Sequence, residues 1–252
     1  MAKALAGLLT AFLWLTRLPV PGLRPVPLAE AVWAFPLVGL AVGGLAGLVL
    51  AAALALGLSS LVAALLAVGA MVLATGALHE DGLADYADGC GGANRVRALE
   101  IMRDSRIGSY GVLALVLVTG LRVCAVAGML ENGPLIAAAG LIAAAALSRA
   151  GMALALRLMR PARPSGLGHD AGRPASGASL AALSLGAGLM IWPAALSPFP
   201  AKTWLVPLIC CGIAQAWLGW RAHRRLGGQT GDVLGAMQQL GETAALIAFS
   251  AV

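Results

Sequence analysis

The chain has 252 residues, of which 60% are hydrophobic and 11% charged, with a formal net charge of +6 and a mean hydropathy of +0.89. A soluble domain carries about a quarter charged residues, so the composition excludes one, and apolar runs recurring from end to end exclude a soluble protein held by one anchor. A spanning helix needs about 20 apolar residues, which leaves room for about seven or eight. The runs also lack the alternation of barrel strands. The expectation is an all-α, polytopic helical membrane protein in which residues 1–252 form a single integral membrane domain.

In chain order, "MAKALAGLLTAFLWLTRLPV" has a Lys and an apolar stretch but no small-x-small cleavage site. It reads as an uncleaved segment, either a tilted span or a helix lying in the interface. Apolar runs follow near 29–56, 59–78, 108–130, 134–157, 178–197, 203–220 and 234–252. Alternation then assigns segments near 17–28, 79–107, 157–177 and 221–233 to one side. That side holds thirteen arginines (17, 24, 95, 97, 103, 106, 157, 160, 163, 173, 221, 224 and 225), while the opposite loops hold Lys202 alone. The asymmetry assigns the arginine-rich side to the cytoplasm. Cys210 and Cys211 are adjacent in one apolar run and Cys124 lies in another. With no C-x-x-C, neither a disulfide framework nor a zinc site is supported.

The most polar segment is "HEDGLADYADG" (79–89), which gathers Glu80, Asp81, Asp85 and Asp88 from a chain with only 11 acidic residues. Asp81, Asp85 and Asp88 are spaced i, i+4, i+7, and on a helix they fall within about 60° of one another. Like charges on one stripe weaken a helix unless a cation relieves them. Mg²⁺ suits such a site, because it takes a few carboxylates, keeps waters and grips phosphate oxygens. An EF-hand loop would need acids two apart. A zincin would need His four after His79, where Leu83 stands.

Two further elements are polar on the same side. "RALEIMRDSRIGSYG" (97–111) mixes Glu100 and Asp104 with Arg103 and Arg106, which fits Asp104 on a metal and an arginine on phosphate. "GGQTGDVLGAMQQLGE" (227–242) offers a glycine turn ahead of a helix, with Thr230 and Asp232 as cap or ligand groups. Backbone N–H groups around Gly228 and Thr230 can hold an anion there. Carboxylates and guanidiniums gathered at one face point to a charged, phosphorylated cytosolic substrate, not to nucleic acid.

Together these stretches resemble the cobalamin-5'-phosphate synthase family, also called adenosylcobinamide-GDP ribazoletransferases. The matching residues are "TRLPVP" (16–21), "FPLVG" (35–39), "HEDGLADYADG" (79–89), "LEIMRDSRIGSYG" (99–111), "SR" (148–149), "GLG" (166–168), and "GGQTGD" with "LGA" (227–236). They stand in the family's order over nearly the whole chain. The resemblance implies transfer of the adenosylcobinamide phosphate group from adenosylcobinamide-GDP to α-ribazole or its 5'-phosphate, with release of GMP. It implies Mg²⁺ as cofactor and an active site at the cytoplasmic face of a bacterial inner membrane. On the matching positions, Asp81, Asp85, Asp88, Asp104 and Asp232 are expected metal ligands. His79, as base for the ribazole hydroxyl, and Asp85 are the expected catalytic groups. Arg103, Arg106, Arg149, Gly228 and Thr230 are expected to bind phosphate. Glu80 replaces an aliphatic residue of the family's pattern, so it is left out of the metal site and expected to tolerate leucine. Arg122 and His169 receive no role.

Two rivals fit less well. A CDP-alcohol phosphatidyltransferase would need Ala and Arg at the positions of Asp85 and Tyr86, and aspartates at those of Leu99 and Arg103. A transporter would place its charges at mid-membrane between repeated halves, whereas here the acids are expected at one face and no internal repeat is found.

Overall fold

The computed structural model describes residues 2–20, 25–191 and 204–251, and among them every regular element is helical. In chain order these are α1 (Ala2–Leu15), α2 (Leu28–Ala31), α3 (Phe35–Ala55), α4 (Ser60–Thr75), α5 (Leu78–Gly89), α6 (Arg95–Ile101), α7 (Ser109–Met129), α8 (Pro134–Leu158), α9 (Leu167–Asp170), α10 (Ser176–Gly188), α11 (Leu205–Leu226) and α12 (Gly231–Ser250). Four stretches are long and apolar enough to cross a membrane: Leu28–Ala55, Ser109–Asn132, Pro134–Leu158 and Leu205–Leu226. The bent pair α4–α5 makes a fifth candidate. The sequence-based count of seven or eight is therefore not reached by the described residues. At 14 residues, α1 is too short to cross alone. Residues 192–197 of the run expected at 178–197 lie outside the described residues, as do Arg24 and Lys202.

The run expected at 234–252 is α12, and it is not a lipid-facing span. It sits in the middle of the bundle against α5, α7, α8 and α11, with nearly every side chain from Val233 to Phe249 buried. Around it, α3 and α8 form the most extensive pairing. A Cβ on Gly43 would stand 2.6 Å from Ile142 Cα, so the absence of a side chain is what lets these two backbones meet. This is the packing by which helices associate where lipid removes the hydrophobic drive.

Because α12 is enclosed, its polar residues need partners inside the bundle. Arg122 of α7 donates to Glu80 Oε1 at 3.0 Å and to Gln239 Oε1 at 2.9 Å, and pairs with Glu242 Oε1. Glu242 Oε2 accepts from Gln238 at 2.6 Å and from Arg149 of α8 at 3.3 Å. Gln239 bonds Glu80 and Gln238, and Gln238 reaches Ser148 Oγ at 3.1 Å. Two guanidiniums and two carboxylates thus balance in one network joining α5, α7, α8 and α12. Two expectations are corrected here. Glu80 is not a bystander, since it neutralises Arg122, and Glu242 lies deep in the bundle instead of at one face with the other acids.

The two ends of the bundle differ. At one, loops rich in arginine tie to each other: Arg95 donates to Leu226 O and Ala162 O at 2.7 and 2.9 Å, Arg225 to Cys90 O at 2.7 Å, and Arg160 to Gly227 O at 2.8 Å. Several arginines of this face therefore satisfy carbonyls at loops and helix ends.

The network predicts a steep stability cost. Glu242→Leu leaves two buried guanidiniums short of a counter-charge and should destabilise the protein by about 3–5 kcal/mol. Glu80→Leu should cost less, because Arg122 keeps Glu242 and Gln239. Thermal unfolding of both variants in detergent micelles checks the order, and equal costs would contradict it.

Candidate active site

The site is built on a corner. Gly76 (φ 63°) and Ala77 (φ 57°) are both left-handed, and they turn α5 by 89° to α4, so α5 runs across the arginine-rich end of the bundle instead of through it. That conformation is uncommon for alanine. Gly82 then lets α5 press onto the start of α12: a Cβ there would stand 2.9 Å from Asp232 O and 3.0 Å from Asp232 Cα. The crossing sets Asp81 and Asp85 beside Asp232, a residue 147 positions later than Asp85 in the chain.

Electrostatics records the proximity. Burial pushes the Asp85 carboxyl up from its usual 3.8 to about 7, helped in order by the charges of Asp81, Asp232 and Asp88 and opposed by Arg163. These carboxylates feel one another without converging. Among the described residues no three His, Cys, Asp or Glu side chains lie close enough to hold one ion. The donor set of Asp81, Asp85 and Asp232 is nonetheless all carboxylate oxygen, the type a Mg²⁺ ion takes, and its mutual repulsion is what a cation would relieve.

The other two expected ligands are placed differently. Asp88, on the same helix, is buried and accepts from the backbone N–H groups of Gly108 (2.7 Å) and Gly111 (2.9 Å), anchoring the start of α7. A carboxylate at a helix N-terminus is stabilising in itself. Asp104 is on the exposed 102–108 turn, where Arg106 grips it through both oxygens and holds it at about 2.

The phosphate candidates also separate. Arg103 is exposed and unpaired in the groove that it shares with Arg95, Glu100 and Arg163. Arg106 is bound to Asp104, and Arg149 is 1% exposed with its contacts in the Glu242 network. Thr230 is the N-cap of α12, accepting from Val233 N and donating to Asp232 Oδ2, both at 3.2 Å. Gly228 lies where the 227–232 and 159–168 loops cross, and those loops are joined by Ala162 N to Gln229 O and Gln229 N to Arg160 O, each 2.8 Å.

The joined loops enclose a polar pocket of about 160 Å³, lined by Arg163, Gly168, Gln229, Thr230, Gly231 and Asp232 among others. Arg163, Nη1 3.6 Å from Asp232 Oδ2, is the half-buried cation of this pocket. Sequence reasoning counted it only for sidedness. The signal available was its place in "RPARPSGLG", just ahead of a matching motif. Burial and the neighbouring charge of Arg103 lower its pKa while Asp232 raises it, so it stays a cation at neutral pH. Beside the pocket, His79 is 1% exposed, and neither ring nitrogen has a hydrogen-bond partner among the described residues.

A family model described as cobalamin-5-phosphate synthase matches residues 7–250. The chain belongs to that family. Among curated relatives named adenosylcobinamide-GDP ribazoletransferase, the Bradyrhizobium diazoefficiens protein is 45% identical over 253 residues, covering 99% of this chain and 95% of the relative. That of Azorhizobium caulinodans is 46% identical over 98% of this chain and 96% of its own length. The Allorhizobium ampelinum relative is 47% identical over 84% of this chain and 82% of its own. No solved structure is significantly similar. Within the cobalamin-5-phosphate synthase family the chain is an enzyme, and its matched segment runs from α1 to the last turn of α12.

Asp85 supplies a pH test. Its folded value near 7 lies above its ordinary 3.8, so its ionisation penalises folding progressively from about pH 4 and fully above about pH 7. Asp85→Asn should therefore raise the melting temperature of metal-free protein most at pH 8 and not at pH 3.5. A pH-independent gain would refute the crowding of carboxylates at Asp85.

Proposed function

We propose that the chain transfers the adenosylcobinamide phosphate group from adenosylcobinamide-GDP to a hydroxyl of α-ribazole or α-ribazole 5'-phosphate, giving adenosylcobalamin or its 5'-phosphate and GMP. The observation that carries this reading is the meeting of Asp81, Asp85 and Asp232 with Arg163 at one end of the bundle. The names of its relatives support the substrates.

The acceptor hydroxyl oxygen forms a bond to the phosphorus next to cobinamide as that phosphorus loses its bond to GMP. Asp81, Asp85 and Asp232 are the carboxylates from which Mg²⁺ would take its protein ligands, not all three being within reach of one ion, and the metal would supply charge neutralisation of the diphosphate. Arg163 and Arg103 hold phosphate oxygens, and the backbone at Thr230 and Gly231 adds polar groups from the start of α12. Arg106 and Asp104 brace the 102–108 turn, and Arg149 steadies α12 through Glu242. The hydroxyl proton passes to a carboxylate of this cluster that does not hold the metal. The arginine asymmetry supports placing this end at the cytoplasmic face of the inner membrane.

With adenosylcobinamide-GDP, α-ribazole and Mg²⁺, purified protein should release GMP, and EDTA should stop it. Asp85→Asn should lower kcat about a hundredfold, the usual loss when one electrostatic contribution is removed. Equal turnover of a CDP-alcohol lipid would overturn the reading. For orientation, in a background lacking Cys90, Cys124, Cys210 and Cys211, a membrane-impermeant maleimide on intact cells should label Asn132→Cys and spare Ser165→Cys. The reverse pattern would invert the topology.

A further inference from the structure

Next to the polar pocket lies a second, apolar cavity of about 110 Å³ between α1, α3, α5, α8 and α12. Trp14, Phe35, Met152, Leu156 and Leu234 form its apolar wall, and the two compartments share Leu167, Gly168, Gly231 and Asp232. At about 110 Å³ it is smaller than the roughly 150 Å³ cavity that takes up benzene, so by itself it admits only one edge of a planar ring, with the rest of the ring toward the shared lining, and it excludes a corrin.

One polar side chain breaks the apolar wall away from the acids. His79 is 99% buried, by its 1% exposure, lines this cavity, and has no hydrogen-bond partner on either ring nitrogen. A buried orphan of this kind costs about 1–3 kcal/mol unless something binds it. Most other buried polar side chains have at least one partner among the described residues, whereas His79 has none on either nitrogen and faces a cavity.

We propose that this cavity takes the nitrogen-bearing edge of the benzimidazole ring of the acceptor nucleoside, with the His79 imidazole hydrogen-bonding the one ring nitrogen that the glycosidic bond leaves free. This rests on the reaction proposed above and assigns one of its substrates to a place. A purine is the poorer fit, because guanine carries several donors and acceptors and the wall away from Asp81 and Asp232 offers only His79. The junction of the two compartments at Asp232 would leave the ribose hydroxyls near Asp81 and Asp85, with the diphosphate on the Arg163 side. His79 then acts by binding, not as the base that the sequence suggests.

Steady-state kinetics of the full-length enzyme in detergent, with each substrate varied in turn, separates these roles. His79→Phe keeps the ring's bulk and removes its hydrogen bond, so the KM for α-ribazole should rise about tenfold while the KM for adenosylcobinamide-GDP is unchanged. Ala171→Leu, from a buried cavity position at the end of α9, should raise the same KM by filling the space. This second variant decides the matter if His79→Phe does not fold. Equilibrium dialysis of benzimidazole against the metal-free protein gives a readout without turnover: wild type should bind it and both variants should bind it at least fivefold more weakly. A fall in kcat alone for His79→Phe would make His79 the base and overturn the proposal. So would an increase confined to the KM for adenosylcobinamide-GDP, or benzimidazole binding equal in all three proteins. Binding with no transfer by wild type would instead sink the proposed reaction and leave the cavity assigned.

Discussion

Charge neutrality inside the bundle is the constraint on which the rest depends. An arginine facing lipid at the depth of Arg122 or Arg149 costs several kcal/mol at the least, and a lone glutamate at Glu242 is no cheaper. The protein resolves this by stacking all of them around α12. Each guanidinium has a carboxylate, and Gln238, Gln239 and Ser148 extend the network, while Arg122 Nε, Arg149 Nε and Glu80 Oε2 have no partner among the described residues. A helix too polar to face lipid becomes the axis about which α5, α7, α8 and α11 pack.

That axis determines where chemistry can occur. The start of α12 emerges at the arginine-rich end, and Thr230 caps it beside Asp232. Glu80, bonded to Arg122 and Gln239, fixes the first turn of α5 to the same axis. The left-handed corner at Gly76 and Ala77 and the bare Cα of Gly82 complete the geometry. Asp81 and Asp85 reach Asp232 because a buried ion pair one turn away holds their helix. Structural charge and functional charge are thus neighbours on α5, and the structural part keeps the carboxylate repulsion from opening the crossing.

The arginine face divides its labour similarly. Arg95, Arg160 and Arg225 satisfy backbone carbonyls, and this holds three arginine-bearing loops in one layer. Arg103 and Arg163 remain with their charge directed at the groove and the polar pocket. Guanidinium suits both tasks, since its rigid fork serves carbonyls and phosphate oxygens alike. The loops they fix form the rim across which the polar and apolar compartments join.

The solvent in which the chain folds, the all-helical class, the family and the clustering of acids at 79–89 are all legible along the chain. These follow from composition, from run length and from local motifs, all of which are readable along one dimension. Thr230 as a cap was legible for the same reason, because a cap acts within four residues. Which charges work together depends instead on how the helices pack. Glu80 looked dispensable beside its motif, and Arg122 and Glu242 are 42 and 162 positions away from it. Nothing local marks a network closed by helices that far apart. Likewise Asp88 has the spacing of its stripe but spends its carboxylate on the N–H groups of Gly108 and Gly111. Arg163, one of thirteen arginines on its side, was separated from the rest only by the loop crossing that half-buries it next to Asp232. Helical spacing states which side chains share a face, but pairing depends on which other helix that face meets, and that is settled by packing.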